Sequence, residues 1–589
     1  MTRHSASRLA TLVALVLALA CAPSIQAASW VPLDRDEVIR QARTVTLERY
    51  PDADVAVVDQ QNWQEYTPDG TYVEWFEQYA KVLSEKGRRS YLTLHSSFNV
   101  IYNTTRFDLV EIISASGEVR RVDIERNSRV MVDSSQMEAN IYDPNNKILQ
   151  VSIPELAIGD TVHFITYDEF IKARMANEFS DFVTFEDTDP IVRSSYTVVA
   201  PAEKPLKSMA LKNEIPGTIT FLKTEQDRKV VYQWVARDIP RAFVEPAMPP
   251  LHTQAQRLLV STIPDWQTVS RWYWNLSKPR LAANTSDMAA MVKKITRGKR
   301  TRKEKVEAIF FWVSQEVRYL GIVAESEAPG YEPHDVSMTF ERRAGVCRDK
   351  AALLVAMMRL AGIEAYPVLI RNGPKMDVEV PQPYFNHAIA CVKNPDGTYL
   401  LMDPTDENTK DLFPAYLNDQ SYLVATPKGE TLLTSPITPA SRNMMKLSTT
   451  GSIDGQGTLN ATTTMDFDGI NDNAYRGYFS TLQTEERKIY FEKMLRKVIP
   501  SAALKDLAVH PDNVMDITAP LKAVMTFSAE NFPVQGDGVT LIPVPRFGDH
   551  VGMVNFLIQK MGLKERKYTY LTETACGVEE TMSLSIDPS

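Results

Sequence analysis

Cys347 is the residue type best able to do covalent chemistry in this chain. It stands in Gly345-Val346-Cys347-Arg348-Asp349-Lys350-Ala351, at the head of a segment with Leu353, Leu354, Met357 and Leu360 at helical spacing and Gly362 as its stop. The pattern predicts a helix over 345–361 with the thiol in its first turn. Partial positive charge at a helix N-terminus lowers a thiol's pKa. The free backbone N–H groups there can receive a developing oxyanion. Both are properties of a nucleophilic cysteine.

Two further residues complete a plausible relay. His387 opens the strand-like run Phe385–Val392, and Asp403 follows the run Thr398–Met402. The turn residues Asn394-Pro395-Asp396-Gly397 between them predict a hairpin. With the loop centred on Pro395, His387 lies directly opposite Asp403, Cβ atoms about 4.5–5.5 Å apart. With the loop centred on Asp396, the two are diagonal neighbours on one face; a one-residue slip puts them on opposite faces. In either of the first two registers the carboxylate can hold one imidazole nitrogen and leave the other for Cys347. Taken singly, a histidine at a strand start is usually just polar, and an aspartate before proline is usually a turn former. It is the combination that points to catalysis.

The stretches Gly345–Ala351, Asn386-His387-Ala388 and Met402-Asp403-Pro404-Thr405, in this order and with this short His–Asp separation, resemble the bacterial transglutaminase-like superfamily of papain-like cysteine enzymes. Trp312-Val313 and Val317-Arg318-Tyr319 are similar to the helix and strand that precede the nucleophile in that family. The resemblance implies an α+β core with Cys347, His387 and Asp403 as catalytic residues. It implies no cofactor and no metal. The flanks resemble bacterial proteins that place a β-rich domain of unknown function before such a core and a β-rich tail after it. The second oxyanion donor is open among Trp312, Gln315 and Tyr319.

The elements around this core divide the chain of 589 residues. Residues 1–27 read as a signal peptide: Arg3, His4 and Arg8 precede an apolar run Leu9–Ala20, and small residues lead to cleavage near Ala27 or Ala28. Export, to the periplasm, follows from it. Ala18-Leu19-Ala20-Cys21 is also similar to a lipoprotein box, which would leave a lipid on Cys21; soluble export is the favoured reading. No later apolar run is long enough for a transmembrane helix.

Residues 28–250 form the expected N-terminal domain. It begins with a helix capped by Asp34 and continues as a β-sandwich-like region with strands at Tyr91–Tyr102, Phe107–Ile113, Thr161–Thr166 and Ser195–Ala200. A proline-rich stretch, Pro240 to Pro264, marks the passage to the core, 251–435. There Asp265 caps an aromatic helix, and a second helix is expected over 302–319. Residues 436–589 form a C-terminal β-rich domain around a helix near 483–498. The fold class is therefore α+β multidomain.

Composition removes other classes. With 44% hydrophobic and 24% charged residues, disorder and collagen are excluded, and four cysteines cannot make a disulfide-dense scaffold. The net charge of −9 disfavours a general nucleic-acid binder. The basic run Lys293–Lys305 reads as a solvated helix start. Asp466–Asn473 fails as a calcium loop because its glycine and its twelfth residue are wrong. His334 and Asp335 lack metal-ligand partners at suitable spacing. After cleavage Cys347, Cys391 and Cys576 remain, an odd number; Cys391 and Cys576 either pair or are buried hydrophobes.

The leading expectation is an exported cysteine enzyme that cleaves or transfers amide bonds of a protein or peptide through a thioester at Cys347. Hydrolysis is favoured because water is abundant in an exported site. The alternative is a non-catalytic envelope binding or assembly protein that keeps the fold without turnover.

Overall fold

A computed structural model describes residues 29–133, 143–320, 330–559 and 561–587. The leader 1–27, its cleavage site and Cys21 lie outside the described residues.

The chain enters through a helix, Arg35–Thr44, whose first amides are received by the Asp34 carboxylate (Asp36 N 3.1 Å, Glu37 N 3.2 Å). An eight-stranded sheet follows. Its spatial order is Ile219–Gln226, Lys229–Ile239, Ile191–Pro201, Val55–Tyr66, Tyr72–Val82, Thr161–Phe170, Asn103–Ile113 and Val119–Arg121. Only the pairing of Val55–Tyr66 with Ile191–Pro201 is parallel. Alternation sorts its side chains: Val57 joins one apolar core, while Ala56 and Val58 join another with Val38 and Ala42 of the entry helix. Two three-stranded sheets share cores with the large one. This is the sandwich-like domain expected from the sequence. One of the small sheets includes Arg257–Ser261, hydrogen-bonded between Ser208–Lys212 and Ser180–Thr184. The chain thus leaves the N-terminal sheets only after Ser261.

The core is helical first and then β. Asp265 caps Trp266–Ala282 (Thr268 N to Oδ1, 2.7 Å). Thr301 and Glu304 form a reciprocal cap for Arg302–Glu316, which stops short of the predicted 319 because Arg318–Tyr319 pairs as a strand with Ala344–Gly345. The helix Cys347–Leu360 ends at Gly362, in the left-handed region at φ 73°. It packs on an antiparallel sheet ordered Tyr399–Met402, His387–Lys393, Ala365–Ile370, Ser421–Val424, Leu433–Thr434. Ala388, Ala390 and Val392 share a core with the helix; Ile389 and Cys391 share another with Val368 and Leu401. The helix is buried from Arg348 to Met358, as a helix between sheet and helices must be when apolar nearly all round.

The C-terminal domain is a sheet ordered Ala502–His510, Lys522–Ala529, Leu459–Phe467, Met444–Ile453, Gly577–Ile586, closed over the helices Ile470–Ser480 and Thr484–Val498 by one core. The first of these helices is absent from the sequence reading. The failed calcium loop is in fact the end of a strand, Asp466-Phe467, and the start of that helix. Among the described residues no helix is long and apolar enough to cross a membrane.

Candidate active site

The start of the nucleophile helix is fixed from three sides. Gly345 pairs with Tyr319, and its carbonyl accepts from Leu320 N at 3.0 Å. A Cβ on Gly345 would lie 2.8 Å from the Asp349 Cβ, so only glycine fits this approach. Asp349, at the third helical position, accepts from Val346 N (3.2 Å) through Oδ2 and from His334 N (2.9 Å) and its Nδ1 (3.1 Å) through Oδ1. His334 is therefore a buried partner of the helix start. Lys350, fully buried, donates from Nζ to the carbonyls of Ser314 (3.1 Å) and Val317 (2.5 Å), closing the end of the preceding helix. Burial brings its ammonium down to about 8, against the pull of Glu407, Asp403 and Asp406.

Cys347 takes the first helical position and is partly exposed. Its amide has no acceptor within the helix. Burial alone would raise the thiol. The hydrogen bond and charge of His387, the Ala388 N–H and the Arg348 charge outweigh it and hold the thiol below its ordinary value.

His387 Nε2 lies 2.9 Å from Asp403 Oδ2. The nitrogen that remains for the thiol is Nδ1, so the ring spans thiol and carboxylate. Burial would lower the imidazole. The Asp403 charge and hydrogen bond, with those of Cys347, raise it to about 10. Asp403 is fully buried; its Oδ1 accepts from Thr405 N (2.9 Å) and Oγ1 (2.7 Å). Burial would raise this carboxyl, but His387 and Thr405 keep it below the usual range. Tyr416 also hydrogen-bonds Asp403.

The register differs from the Pro395-centred expectation. Ala390 pairs with Met402, Cys391 with Leu401 and Lys393 with Tyr399. Asn394 N donates to Thr398 O at 2.8 Å, leaving a three-residue loop with Gly397 at φ 88° and centre at Asp396. His387 and Asp403 are therefore the diagonal neighbours of the second register, and Asp403 stands just beyond its strand. The longer reach is spanned by the imidazole.

Among the three oxyanion candidates, Trp312 packs at a tilt against Phe340 under the Arg343 guanidinium, and Gln315 Nε2 donates to Met515 O at 3.1 Å. Tyr319 lines the cavity at Cys347. Cys391 and Cys576 are free thiols. Cys391 is wholly buried, its pKa driven up by that burial. Among the described residues no cluster of three or more His, Cys, Asp or Glu could hold a metal.

Sequence reasoning missed the groups that aim the histidine. Tyr331 donates to the carbonyls of Pro383 and Phe385 (2.7 Å to the latter). Gln382 Nε2 donates to Asp181 O at 2.7 Å, and Tyr384 OH to Ser180 O at 2.5 Å, both in the N-terminal domain. These bonds hold the segment leading into His387, and no periodicity betrays them. The cavity at Cys347 has about 230 Å³ and is lined by Tyr273, Tyr319, His387 and, from the N-terminal domain, Arg174.

Comparison with known proteins follows this division of the chain. Residues 289–404 match the transglutaminase-like superfamily core, and residues 68–243 match DUF3857, a domain of unknown function. A candidate protease from Parabacteroides distasonis has a similar fold, at TM-score 0.54 and 14% identity over 81% of this chain and 93% of that one. A candidate cysteine protease from Cytophaga hutchinsonii aligns over 40% of this chain and 80% of its own, at 16% identity and TM-score 0.18. No curated protein sequence matches. The chain thus carries a transglutaminase-like core, residues 289–404, behind a DUF3857 domain, residues 68–243.

Proposed function

We propose that the protein is an exported cysteine hydrolase acting on amide bonds of a protein or peptide, with Cys347 as nucleophile, His387 as acid–base and Asp403 as the group that orients and charges the ring. The observation that carries this reading is the relay itself: a thiol at a helix start, sharing its cavity with an imidazole whose Nε2 is 2.9 Å from a buried carboxylate. The lowered thiol and raised imidazole favour the thiolate–imidazolium pair over the neutral one.

The Cys347 thiolate attacks the carbonyl carbon, and the carbonyl oxygen gains the charge. The Cys347 amide is one donor for that oxyanion. Collapse expels the amine, which takes the proton from His387 Nδ1 and leaves an acyl thioester on Sγ. Water then attacks the thioester; His387 accepts its proton, the acid departs and the thiol is restored. An amine in place of water would make the same site a transferase. Hydrolysis is favoured because Cys347 is partly exposed, which gives water access to the thioester. The sequence of residues 1–27 supports export to the periplasm.

The test is incubation of the full protein with amide substrates, with and without a primary amine, beside Cys347→Ala. Turnover is expected to vanish in the variant. Retained activity would remove Cys347 as nucleophile, and an amine adduct as main product would replace hydrolysis by transfer. A protein that binds without turnover, and shows no His387-dependent alkylation of Cys347, would be the envelope binding protein instead.

A further inference from the structure

The cavity at Cys347 is the smallest of three hollows that meet along the seam between the N-terminal domain and the core. One neighbour, of about 470 Å³, shares Arg174, Phe385 and Asn386 with it. The other, of about 460 Å³, shares Arg174, Gly330 and Tyr331. Arg174 therefore belongs to all three walls. The lobe that holds the thiol adjoins both larger ones.

The lobe of about 470 Å³ has an uneven charge balance. Four cations, Arg174, Arg257, Arg371 and Lys375, line it against two acids, Asp181 and Asp377. Arg257 is committed to Asp377 (2.9 Å), and Lys375 to Asp419 (2.6 Å). The Asp181 carboxyl is turned to Tyr196 OH (2.8 Å) and Gln64 Nε2 (2.9 Å), and burial pushes it toward its neutral form. Arg174 is exposed and lies 5.7 Å from the Tyr384 ring centre; Arg371 is half-buried and donates to Tyr384 O at 3.1 Å. Neither has an ion-pair partner among the described residues. His252 on the same wall is held below its ordinary value by burial, then by Arg371 and Arg257. In a chain of net charge −9, two guanidiniums without counter-charge beside a nucleophile make a place for an anion.

We propose that this lobe binds a carboxylate of the substrate through Arg174 and Arg371, making the preferred substrate a peptide with an acidic group near the scissile amide. The inference rests on the amide-hydrolase reading. The carboxylate can be an acidic side chain or a free C-terminus.

The experiment uses mixed hexapeptide pools, blocked at both ends, with Glu or Gln fixed at each position in turn, and a further pair with a free C-terminal carboxylate or carboxamide. Retention by full-length Cys347→Ala protein and cleavage by the wild type are both read by mass spectrometry. Retention of one acidic arm at least tenfold above its neutral partner is expected, and the arm identifies the source of the carboxylate. Arg174→Gln and Arg371→Gln, each placed in Cys347→Ala, should each erase that ratio, and Arg174→Lys should restore part of it. Equal retention of all acidic and neutral pools, or a ratio unmoved by both glutamine substitutions, overturns the proposal. Cleavage without acid preference would overturn it and leave the hydrolase reading standing; acid-selective retention without cleavage would do the reverse. Neither retention nor cleavage of any pool overturns both.

Discussion

The proposed chemistry depends on two opposed shifts: a thiol below its ordinary value and an imidazole at about 10. Both shifts favour the thiolate–imidazolium pair, so the alkylation rate of Cys347 should hold to lower pH than that of an ordinary thiol. It should fall in acid as the thiolate is protonated. Turnover should also decline near pH 10, where His387 loses the proton the leaving amine needs. The pair titrates as a unit, so these limbs belong to both groups. Asp403→Asn removes the charge that holds the imidazole up. Its alkaline limb is expected to move down by about 1–3 pH units, and amide turnover to fall by about 10²–10⁴-fold; a profile identical to wild type would separate Asp403 from the relay. These three residues were legible in the sequence because each sits at an element boundary with its own signal: an apolar helix behind the cysteine, and turn residues between histidine and aspartate. The pairing register was legible only as alternatives, because a shift of one residue in the loop centre, from Pro395 to Asp396, turns a direct pair into a diagonal one. Gly397 in the left-handed region closes the three-residue loop centred on Asp396.

At the scale of the element, the motif around Cys347 is mostly scaffolding. Gly345 admits the Asp349 side chain, Asp349 binds the amide before the helix, and Lys350 closes the helix that precedes it. Gly345→Ala should shift the helix start against Asp349 and slow Cys347 alkylation on the order of 10–100-fold, the scale of a misplacement near 1 Å, while the circular dichroism spectrum stays native. Unchanged alkylation would show that the contact relaxes freely. Lys350→Met leaves two carbonyls without their donor and should lower the stability of the core by about 1–3 kcal/mol, read as a lowered transition temperature in calorimetry. The helix itself was plain from its periodicity. Its cap was not, because the residue before it is Val346 and the capping carboxylate comes from inside the helix. The missed helix Ile470–Ser480 has a related cause: its glycine and aspartates read as a loop, whereas Gly469, at φ 56°, is the residue just before its first turn.

For the whole molecule, the sequence separated three bodies but gave no view of the seams between them. The loop after Asp403 is held within the core by Ser314 Oγ, which donates to Asp406 O (2.9 Å), and is tied to the C-terminal domain by Asn473 Nδ2, which donates to Asp406 Oδ2 (2.6 Å). The C-terminal segment at Arg566–Leu571 in turn grips Glu245–Ala247 of the stretch between domains. Such contacts join residues tens to hundreds of positions apart and leave no mark on local pattern. The seam with the N-terminal domain bears on reactivity. Gln382→Ala combined with Tyr384→Phe removes the side-chain bonds that these two residues make across it, without touching the thiol, histidine or aspartate. The double variant should lose most of its Cys347 alkylation at neutral pH, by about tenfold or more on the same positional argument; full reactivity would show that the imidazole is held from within the core alone.

The nearer of those two anchors, Tyr384, stands three residues before the imidazole. A wedge driven between the domains would therefore drag the ring away from the sulfur as it widened the entrance. If the proposed hydrolysis holds, an extended or unravelled chain that enters lengthwise should be cut faster than a rigid globule that has to pry the domains apart.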